Sequence, residues 1–289
     1  MTLSYKWGAI VITGASSGIG QTTVLALARA GWYVFGGVRT VQDSAKLAAS
    51  AGAVGLGDLV QPILLDVTDN TQIAVAQELV ALTLRERGLY LTGLVNNAGI
   101  AVGGPIEEVP LARLREILAI NVVGVVAVTQ AFLPLLRAGR GRIVNLSSVS
   151  GRIAAPFLGP YAASKFALEA LSDALRVEVR PWGIRVVLIE PGPISTPIWD
   201  KTTAAATADR VGLNTTSPYA ELIPRVQAAI ERSARRGMPA ERVAEVIIAA
   251  LTTRRPRARY LVARQPLLFA ALVRLVPDGV RDFLFARGL

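Results

Sequence analysis

Short, continuous apolar runs alternate along the chain with longer segments whose apolar residues recur at helical spacing. Runs rich in β-branched residues predict strands at residues 9–13, 33–38, 60–65, 91–96, 142–146, 184–190 and 259–262. The longer segments predict helices at residues 19–30, 41–53, 70–87, 111–136, 161–180 and 239–251. Continuous apolar strands, each followed by a helix, are typical of a parallel sheet with helices on both faces. Because such crossovers are right-handed, a doubly wound α/β fold of about seven strands is the simplest topology.

Two segments lie outside this alternation, and no repeat or low-complexity linker divides the chain. We therefore predict a single domain over residues 1–264, with residues 195–237 as a lid over a binding site. Residues 265–289 are predicted to form an amphipathic helical extension, because Val280, Phe283 and Leu284 follow i, i+3, i+4 spacing. The lid offers the apolar side chains Ile198, Trp199, Leu213, Leu222, Ile223 and Val226, with few charges near its start.

The composition excludes several classes of protein. Hydrophobic residues make up 52% of the 289 positions and charged residues 18%, which is ample material for a buried core. Without cysteine or histidine there can be no disulfide and no thiolate or imidazole ligand, so we predict no metal site. The N-terminus has no basic leader with a cleavage site, and no apolar run reaches the ~20 residues of a membrane-spanning helix. These features fit the reducing cytoplasm, where we expect the protein.

The formal charge of +10 is concentrated near the C-terminus, where residues 232–289 hold twelve arginines and four acidic residues. Nucleic-acid-binding proteins usually combine such charge with aromatic residues or a recognition helix. Here the arginines are mixed with apolar residues, so we predict no nucleic-acid partner. The tail has two interpretations. Either it adsorbs to an anionic membrane surface, or its helix docks on the protein's own body or on a neighbouring subunit.

A glycine-rich turn follows the first predicted strand in the stretch VITGASSGIG. Gly14, Gly18 and Gly20 have the spacing GxxxGxG. Small residues in such a turn let backbone N–H groups approach a pyrophosphate at the helix N-terminus. The alternative is an ordinary glycine turn before a helix, but its place after the first strand favours a dinucleotide site.

The second predicted strand ends in VFGGVRT, with no acidic residue before Asp43. An acid at this point commonly holds the ribose 2′-hydroxyl of NAD. Arg39 instead suits the 2′-phosphate of NADP, with Ser16 or Ser17 as helping donors. We therefore predict a preference for NADP(H) over NAD(H), the alternative being that Arg39 is an ordinary exposed arginine.

Polar side chains end the third and fourth predicted strands. Asp66 ends the third in LLDVTD, and Asn96 and Asn97 end the fourth in LVNNAG. The carboxyl edge of a parallel sheet is where ligands bind such folds. Each of these residues alone could equally cap a helix or complete a turn.

A tyrosine stands four residues before a lysine in the stretch GPYAASKFALEALSDALR. Tyr161 and Lys165 alone could be a solvated i, i+4 contact, but the chain has only four lysines, and lysine supplies a compact ammonium that arginine cannot. Ser148 precedes Tyr161 by thirteen residues, just past the fifth strand, and Asn121 interrupts an apolar helix face. Any one of these residues has a structural explanation, whereas their joint order favours catalysis.

With these motifs in place, the chain resembles the short-chain dehydrogenase/reductase family. The stretches TGASSGIG, LLDVTD, NNAG, INVVG, LSSV, YAASK and EPGPIST appear in the family's order and at compatible spacing. The resemblance covers residues 9–196 closely and 239–262 more loosely, and it is strongest to the branch with retinol and hydroxysteroid dehydrogenases. It implies a Rossmann-like fold and a homo-oligomer in which helices 111–136 and 161–180 pair between subunits.

The resemblance also implies four catalytic roles. Tyr161 is the general acid/base, and Lys165 binds the nicotinamide ribose and lowers the pKa of the tyrosine. Ser148 holds the substrate oxygen, and Asn121 supports a chain of water molecules to the lysine. A phenol titrates near 10 when unperturbed, but a nearby ammonium and the positive nicotinamide favour phenolate. A chain without histidine can therefore transfer protons near pH 7.

For the cofactor, the resemblance implies that Asp66 and Val67 meet the adenine and that Asn97 lies on the adenosine side. Because the glycine turn contains no basic residue, Arg39 alone argues for NADP. The predicted cofactor-binding residues are Gly14, Ser16, Ser17, Gly18, Ile19, Gly20, Arg39, Thr40, Asp66, Val67, Asn97, Ala98, Gly99, Tyr161, Lys165, Pro191, Gly192, Ile194 and Thr196, of which Gly192, Ile194 and Thr196 would meet the nicotinamide carboxamide and phosphate.

We therefore expect an NADP-preferring oxidoreductase that interconverts an alcohol and its ketone or aldehyde. The apolar lid favours a lipophilic substrate, the alternative being that its side chains only pack the lid. A different hypothesis is a catalytically silent nucleotide-sensing or scaffold protein on the same fold. The intact set of Ser148, Tyr161 and Lys165 argues against that hypothesis.

Overall fold

Seven parallel strands form one sheet in the order β3-β2-β1-β4-β5-β6-β7. The structure is a computed structural model that describes residues 8–196, 217–266 and 275–287. It confirms all seven predicted strands and the doubly wound α/β fold. The strands are β1 (Ala9–Ile12), β2 (Tyr33–Val38), β3 (Val60–Leu64), β4 (Leu91–Asn96), β5 (Arg142–Leu146), β6 (Arg185–Pro191) and β7 (Arg259–Val262).

Helices cover both faces of the sheet. The described helices are α1 (Gly18–Arg29), α2 (Val41–Gly52), α3 (Asn70–Arg87), α4 (Leu111–Leu118), α5 (Gly124–Gly139), α6 (Gly159–Glu178), α7 (Leu222–Arg235), α8 (Ala240–Thr252) and α9 (Asp278–Arg287).

Two hydrophobic cores hold these layers together, because successive residues of a strand point to opposite faces. Ile10 and Ile12 of β1 belong to the core beneath α1, α2 and α8. Ala9 and Val11 of the same strand belong to the core beneath α3, α5 and α6. Burial on both faces explains why the strands are continuously apolar rather than alternating.

The predicted helix 111–136 is not one uniform α-helix. A π-helical turn, Ala119–Val123, separates α4 from α5. By length and composition alone, the run Leu111–Gly139 is long and apolar enough to cross a membrane, because an 18-residue window within it has a mean hydropathy of 2.0. The expectation that no such segment exists is therefore not met. Such a run is weak evidence for a span, because core helices pass the same test. Here α5 packs against β4 and α3.

The two segments outside the alternation are described only in part. In the predicted lid, residues 197–216 lie outside the described residues, and with them Ile198, Trp199 and Leu213. The rest of the lid contains α7, which the pattern analysis did not predict and whose Ile223 is buried. In the tail, α9 spans Asp278–Arg287, and its Val280, Phe283 and Leu284 are each about half exposed. The amphipathic extension over residues 265–289 stays a prediction. A single domain over residues 1–264 stays a prediction.

Candidate functional site

A cavity of about 470 Å³ opens at the carboxyl ends of the parallel strands. Its lining residues follow β1, β2, β3, β4, β5 and β6. The chain leaves β1 toward β2 on one side of the sheet and later returns to β4 on the other side. Ligands of doubly wound folds bind at such a switch point, and the volume is typical of a small-molecule site.

The glycine turn after β1 forms one wall of the cavity and is fixed by β4. Gly18 has a φ of +55°, which favours glycine. A Cβ on Gly20 would lie 2.1 Å from the Gly14 carbonyl oxygen, so no larger residue fits there. The Asn97 amide nitrogen donates to the carbonyls of Thr13 and Gly14 at 2.9 and 3.0 Å. Asn97 therefore holds the turn in a shape that leaves the start of α1 open to an anion, as a dinucleotide pyrophosphate requires.

Polar groups that follow β2 and β3 line the same cavity. Arg39 is exposed at its edge. The Asp66 carboxylate accepts hydrogen bonds from the backbone N–H and the hydroxyl of Thr68, at 2.9 and 2.7 Å, which fixes its position. Thr40 does not line the cavity. Its hydroxyl accepts the Asp43 N–H at 3.1 Å and caps α2.

Ser148, Tyr161 and Lys165 meet at the cavity where β5 ends and α6 begins. All three are buried. The Tyr161 side chain is hydrogen-bonded to Ser148, and the Lys165 Nζ lies 5.8 Å from the centre of the tyrosine ring. Nζ donates to the Leu146 carbonyl at 2.7 Å. Burial lowers the pKa of Lys165 to about 8, and the charge of Glu169 opposes that fall.

The pKa of Tyr161 departs from the sequence-based expectation. In the protein by itself, burial raises this pKa, and the hydrogen bond from Ser148 only partly opposes the rise. Desolvation of the phenolate is therefore the dominant effect on this pKa, and the opposing effect comes from Ser148 rather than from Lys165. The sequence could not reveal this, because burial depends on how α6 is packed.

Asn121 contributes from the π-helical turn rather than from the cavity wall. Its amide oxygen accepts the Ile100 N–H, and its nitrogen donates to the Ile100 carbonyl, both at 2.9 Å. The nitrogen also donates to the Ser164 hydroxyl at 3.0 Å. The side chain thus joins the loop after β4 to α6, which carries Tyr161. A π-helical turn is a common way to place such a residue at a functional site.

Apart from Thr40, every predicted cofactor-binding residue lines the cavity, including Pro191, Gly192, Ile194 and Thr196 at the end of β6. Asn96, which the sequence singled out with Asn97, points instead into the core. It donates to Asn145 and Thr129 at 2.9 and 3.0 Å, and Asn145 donates to Ser172 at 2.8 Å. This buried polar chain joins β4 and β5 to the helices that cover them.

Sequence reasoning missed several residues of the cavity wall. They lie at or just after strand ends, or in and just before the π-helical turn, and the positions of those elements could have indicated them. They are Val38, Leu65, Thr68, Ile100, Glu116, Ala119, Ile120, Leu146 and Ser147.

Comparison with known proteins agrees with this geometry. A family model described as short chain dehydrogenase matches residues 8–207. The chain is 36% identical to the NADPH-dependent 3-dehydrocapnine reductase of Ornithobacterium rhinotracheale over 284 residues, which are 96% of each chain. It is 34% identical over 292 residues to the 17-beta-hydroxysteroid dehydrogenase type 6 of Bos taurus, covering 96% of this chain and 87% of that one.

Among solved structures, the chain is similar to a short chain dehydrogenase/reductase from Burkholderia phymatum in complex with NAD. The TM-score is 0.78 at 27% sequence identity, with 96% of each chain covered.

Proposed function

Since the chain belongs to the short-chain dehydrogenase/reductase family and is thereby an NAD(P)-dependent oxidoreductase, we propose that it interconverts a lipophilic alcohol and its ketone or aldehyde. The observation that carries this proposal is the hydrogen bond between Tyr161 and Ser148 beside Lys165, in the cavity that the glycine turn also lines.

The side chains supply the proton chemistry. The glycine turn and the residues that follow β3, β4 and β6 would hold a nicotinamide dinucleotide, and hydride transfer is the chemistry that this group would supply when bound. The Ser148 hydroxyl donates a hydrogen bond to the substrate oxygen. In reduction, Tyr161 gives its phenolic proton to that oxygen, and in oxidation it takes the proton back.

Lys165 prepares Tyr161 for this exchange. Proton loss leaves a buried phenolate, which water no longer solvates. The Lys165 ammonium, anchored on the Leu146 carbonyl at 2.7 Å, stabilises that negative charge. Asn121 keeps the two residues in place through Ser164 on the same helix.

For the cofactor, we propose a preference for NADP(H). Arg39 lies at the cavity edge after β2, where a guanidinium suits the 2′-phosphate. The Ornithobacterium relative is named as NADPH-dependent, whereas the Burkholderia structure holds NAD. Support for NADP(H) therefore rests on Arg39 and has to be tested there.

A lipophilic substrate is proposed from the surroundings of Tyr161. The tyrosine packs in an apolar cluster with Ala101, Val102 and Ile117. Ile223 of α7 adds a buried apolar side chain from the described part of the lid. A ketone with a hydrocarbon body fits such a wall better than a charged substrate, because burying an unpaired charge is costly.

We further propose a cytoplasmic homo-oligomer. Exposed apolar side chains lie on α6, namely Phe166, Leu171 and Val177, and at Val123 in the π-helical turn before α5. The tail is proposed to contact an anionic membrane surface, because its apolar side chains are exposed beside arginines.

The test is turnover with a panel of lipophilic ketones and alcohols, followed by the absorbance of the reduced nicotinamide with each cofactor. Tyr161→Phe keeps the ring but removes the proton, so turnover should fall by about 10²–10⁴-fold while cofactor affinity, followed by fluorescence, barely changes. Tyr90→Phe changes an exposed tyrosine in the same way and should keep native turnover. A Tyr161→Phe variant with near-native turnover would mean that another group moves the proton. A wild-type protein that binds cofactor but turns over no substrate would favour the silent alternative.

A further inference from the structure

Behind the catalytic lysine lies a cluster of charged side chains that the proposed chemistry does not use. Glu169 follows Lys165 by one turn of α6 and is 6% exposed. Its Oε2 accepts a hydrogen bond from the Arg259 Nε of β7 at 2.9 Å. A second nitrogen of Arg259 donates to Asp173, one turn further along α6, at 2.7 Å. The family resemblance assigned no role to any of these three residues.

The second carboxylate oxygen of Glu169, Oε1, accepts no hydrogen bond from Arg259 or from any other described residue. Among the described residues, neither this Oε1 nor the Ser147 hydroxyl has a hydrogen-bond partner, although both atoms are buried. Both side chains border Gly151, where a Cβ would lie 2.8 Å from the Ser147 hydroxyl and 3.0 Å from the Glu169 Cγ. A buried carboxylate oxygen without a donor is costly, and such a cost is often tolerated where it serves a site.

We propose that Glu169 is a positioning residue that keeps Lys165 protonated, with Arg259 holding the Glu169 carboxylate in the place from which it does so. This inference rests on the proposed roles of Tyr161 and Lys165. It differs from a purely structural role, in which Glu169 would only neutralise Arg259 and join α6 to β7.

The physical reason lies in the burial of the ammonium. Burial lowers the pKa of Lys165 to about 8, so a small further fall in this pKa would leave the lysine neutral near physiological pH. A neutral lysine cannot stabilise the Tyr161 phenolate. The negative charge of Glu169 opposes this fall in the pKa of Lys165, because it favours the charged ammonium.

Other charged groups surround the pair, and Glu190 of β6 is the main competitor. It faces two arginines, Arg152 at 3.4 Å and the Arg259 Nε at 3.3 Å. Burial and the charge of Glu169 raise the pKa of Glu190. The charge of Glu190 is thus offset by two arginines, whereas that of Glu169 is offset by Arg259 alone among the described residues. The titratable and charged groups on the elements around Lys165 are Tyr161, Glu169, Asp173, Arg176 and Glu178 on α6, Arg142 on β5, Arg152 after β5, Arg185 and Glu190 on β6, and Arg259 on β7.

The experiment is a direct titration of Lys165 in the full chain. The chain has only four lysines, so ¹³C-labelled lysine gives few resonances, and Lys165→Met assigns the one of interest. In Glu169→Gln the titration midpoint should fall by on the order of one pH unit, the usual effect of a nearby opposite charge. The alkaline loss of kcat should move down by the same amount.

The matched control is Asp173→Asn. It removes another carboxylate partner of Arg259, but one whose side chain is 43% exposed and lies two turns from Lys165. Its midpoint should equal that of the wild type. Glu169→Asp keeps the negative charge, so its titration midpoint should lie close to that of the wild type. Equal midpoints in Glu169→Gln and the wild type would overturn the proposal.

Should Glu169→Gln not fold, the double variant Glu169→Gln with Arg259→Met removes both members of the ion pair and leaves neither charge unpaired. Because loss of the Arg259 guanidinium by itself favours the Lys165 ammonium, the double variant is compared with Arg259→Met alone. Its titration midpoint should be the lower of the two, and equal midpoints would overturn the proposal. A shifted midpoint together with an active Tyr161→Phe variant would retain the electrostatic coupling while contradicting the proposed function.

Discussion

Lys165 shows what a single residue can do in a chain without histidine. Its ammonium is small enough to be buried against the Leu146 carbonyl, and its pKa of about 8 lies close to neutral pH. An arginine there would stay charged at any pH and would need a wider, planar set of partners. The use of lysine at this one point of an arginine-rich chain follows from that difference.

The proposed preference for NADP(H) likewise depends on a single residue, Arg39. Arg39→Asp should raise the Michaelis constant for NADP(H) ten- to hundredfold more than that for NAD(H), because a charge-assisted contact contributes ~1.5–3 kcal/mol. Initial rates against cofactor concentration measure this. Arg29→Asp, an exposed arginine outside the cavity with the same change of charge, should affect neither constant. Equal effects of Arg39→Asp on both cofactors would show that Arg39 does not contact the 2′-phosphate.

At the scale of elements, the π-helical turn Ala119–Val123 explains how a surface helix reaches the active site. The extra residue in the turn places Asn121 toward the Ile100 backbone and Ser164 while α4 and α5 continue on either side. A regular helix over the same residues would satisfy its own backbone but would rotate Asn121 away. This one irregular turn thus connects the loop after β4 to α6, the helix that carries Tyr161.

The C-terminal helix α9 gives a prediction at this scale. Its exposed Val280, Phe283 and Leu284 lie beside arginines, so the full chain should float with liposomes that contain anionic lipid. A chain ending at residue 264 should stay in the soluble fraction, and high salt should weaken the binding of the full chain. Phe283→Asp is the matched variant of unchanged length. Equal recovery of both chains in the soluble fraction would exclude membrane binding and leave a subunit contact as the interpretation.

At the scale of the whole molecule, the outer face of α6 is more apolar than a solvent-exposed helix usually is. Ala163, Phe166, Ala170, Ala174 and Val177 are exposed and recur at helical spacing, while the opposite face of the helix carries Tyr161 and Lys165. A contiguous apolar face of this kind is typical of a protein–protein interface. The same helix would therefore serve the active site on one side and a second subunit on the other.

This gives the prediction for assembly. Phe166→Glu places a charge on an apolar side chain that is 44% exposed, and it should weaken subunit association at least tenfold because a buried unpaired charge is costly. Size-exclusion chromatography with light scattering measures the mass against concentration. Val75→Glu, at a 60% exposed site on α3, should leave the mass unchanged. A wild-type protein that is monomeric at high concentration would contradict the interface.

The sequence by itself determined the elements and their order, because strand and helix periods are local properties of consecutive residues. The glycine turn could be predicted for the same reason, since its backbone demands glycine at Gly18 and Gly20 whatever surrounds it. Ser148, Tyr161 and Lys165 could be singled out as candidates because their joint order, and the family resemblance it carries, is rarer than any one of them.

Only the tertiary structure decided where neighbouring polar residues point and how strongly they are buried. Asn97 fixes the glycine turn while Asn96 enters the core, and Thr40 caps a helix although it follows Arg39. Burial reversed the expected direction of the pKa of Tyr161. Arg259 meets Glu169 across 90 residues of chain, a contact that no local pattern encodes. Desolvation and long-range pairing arise when separate elements close on one another, so they are properties of the folded chain and not of its consecutive residues.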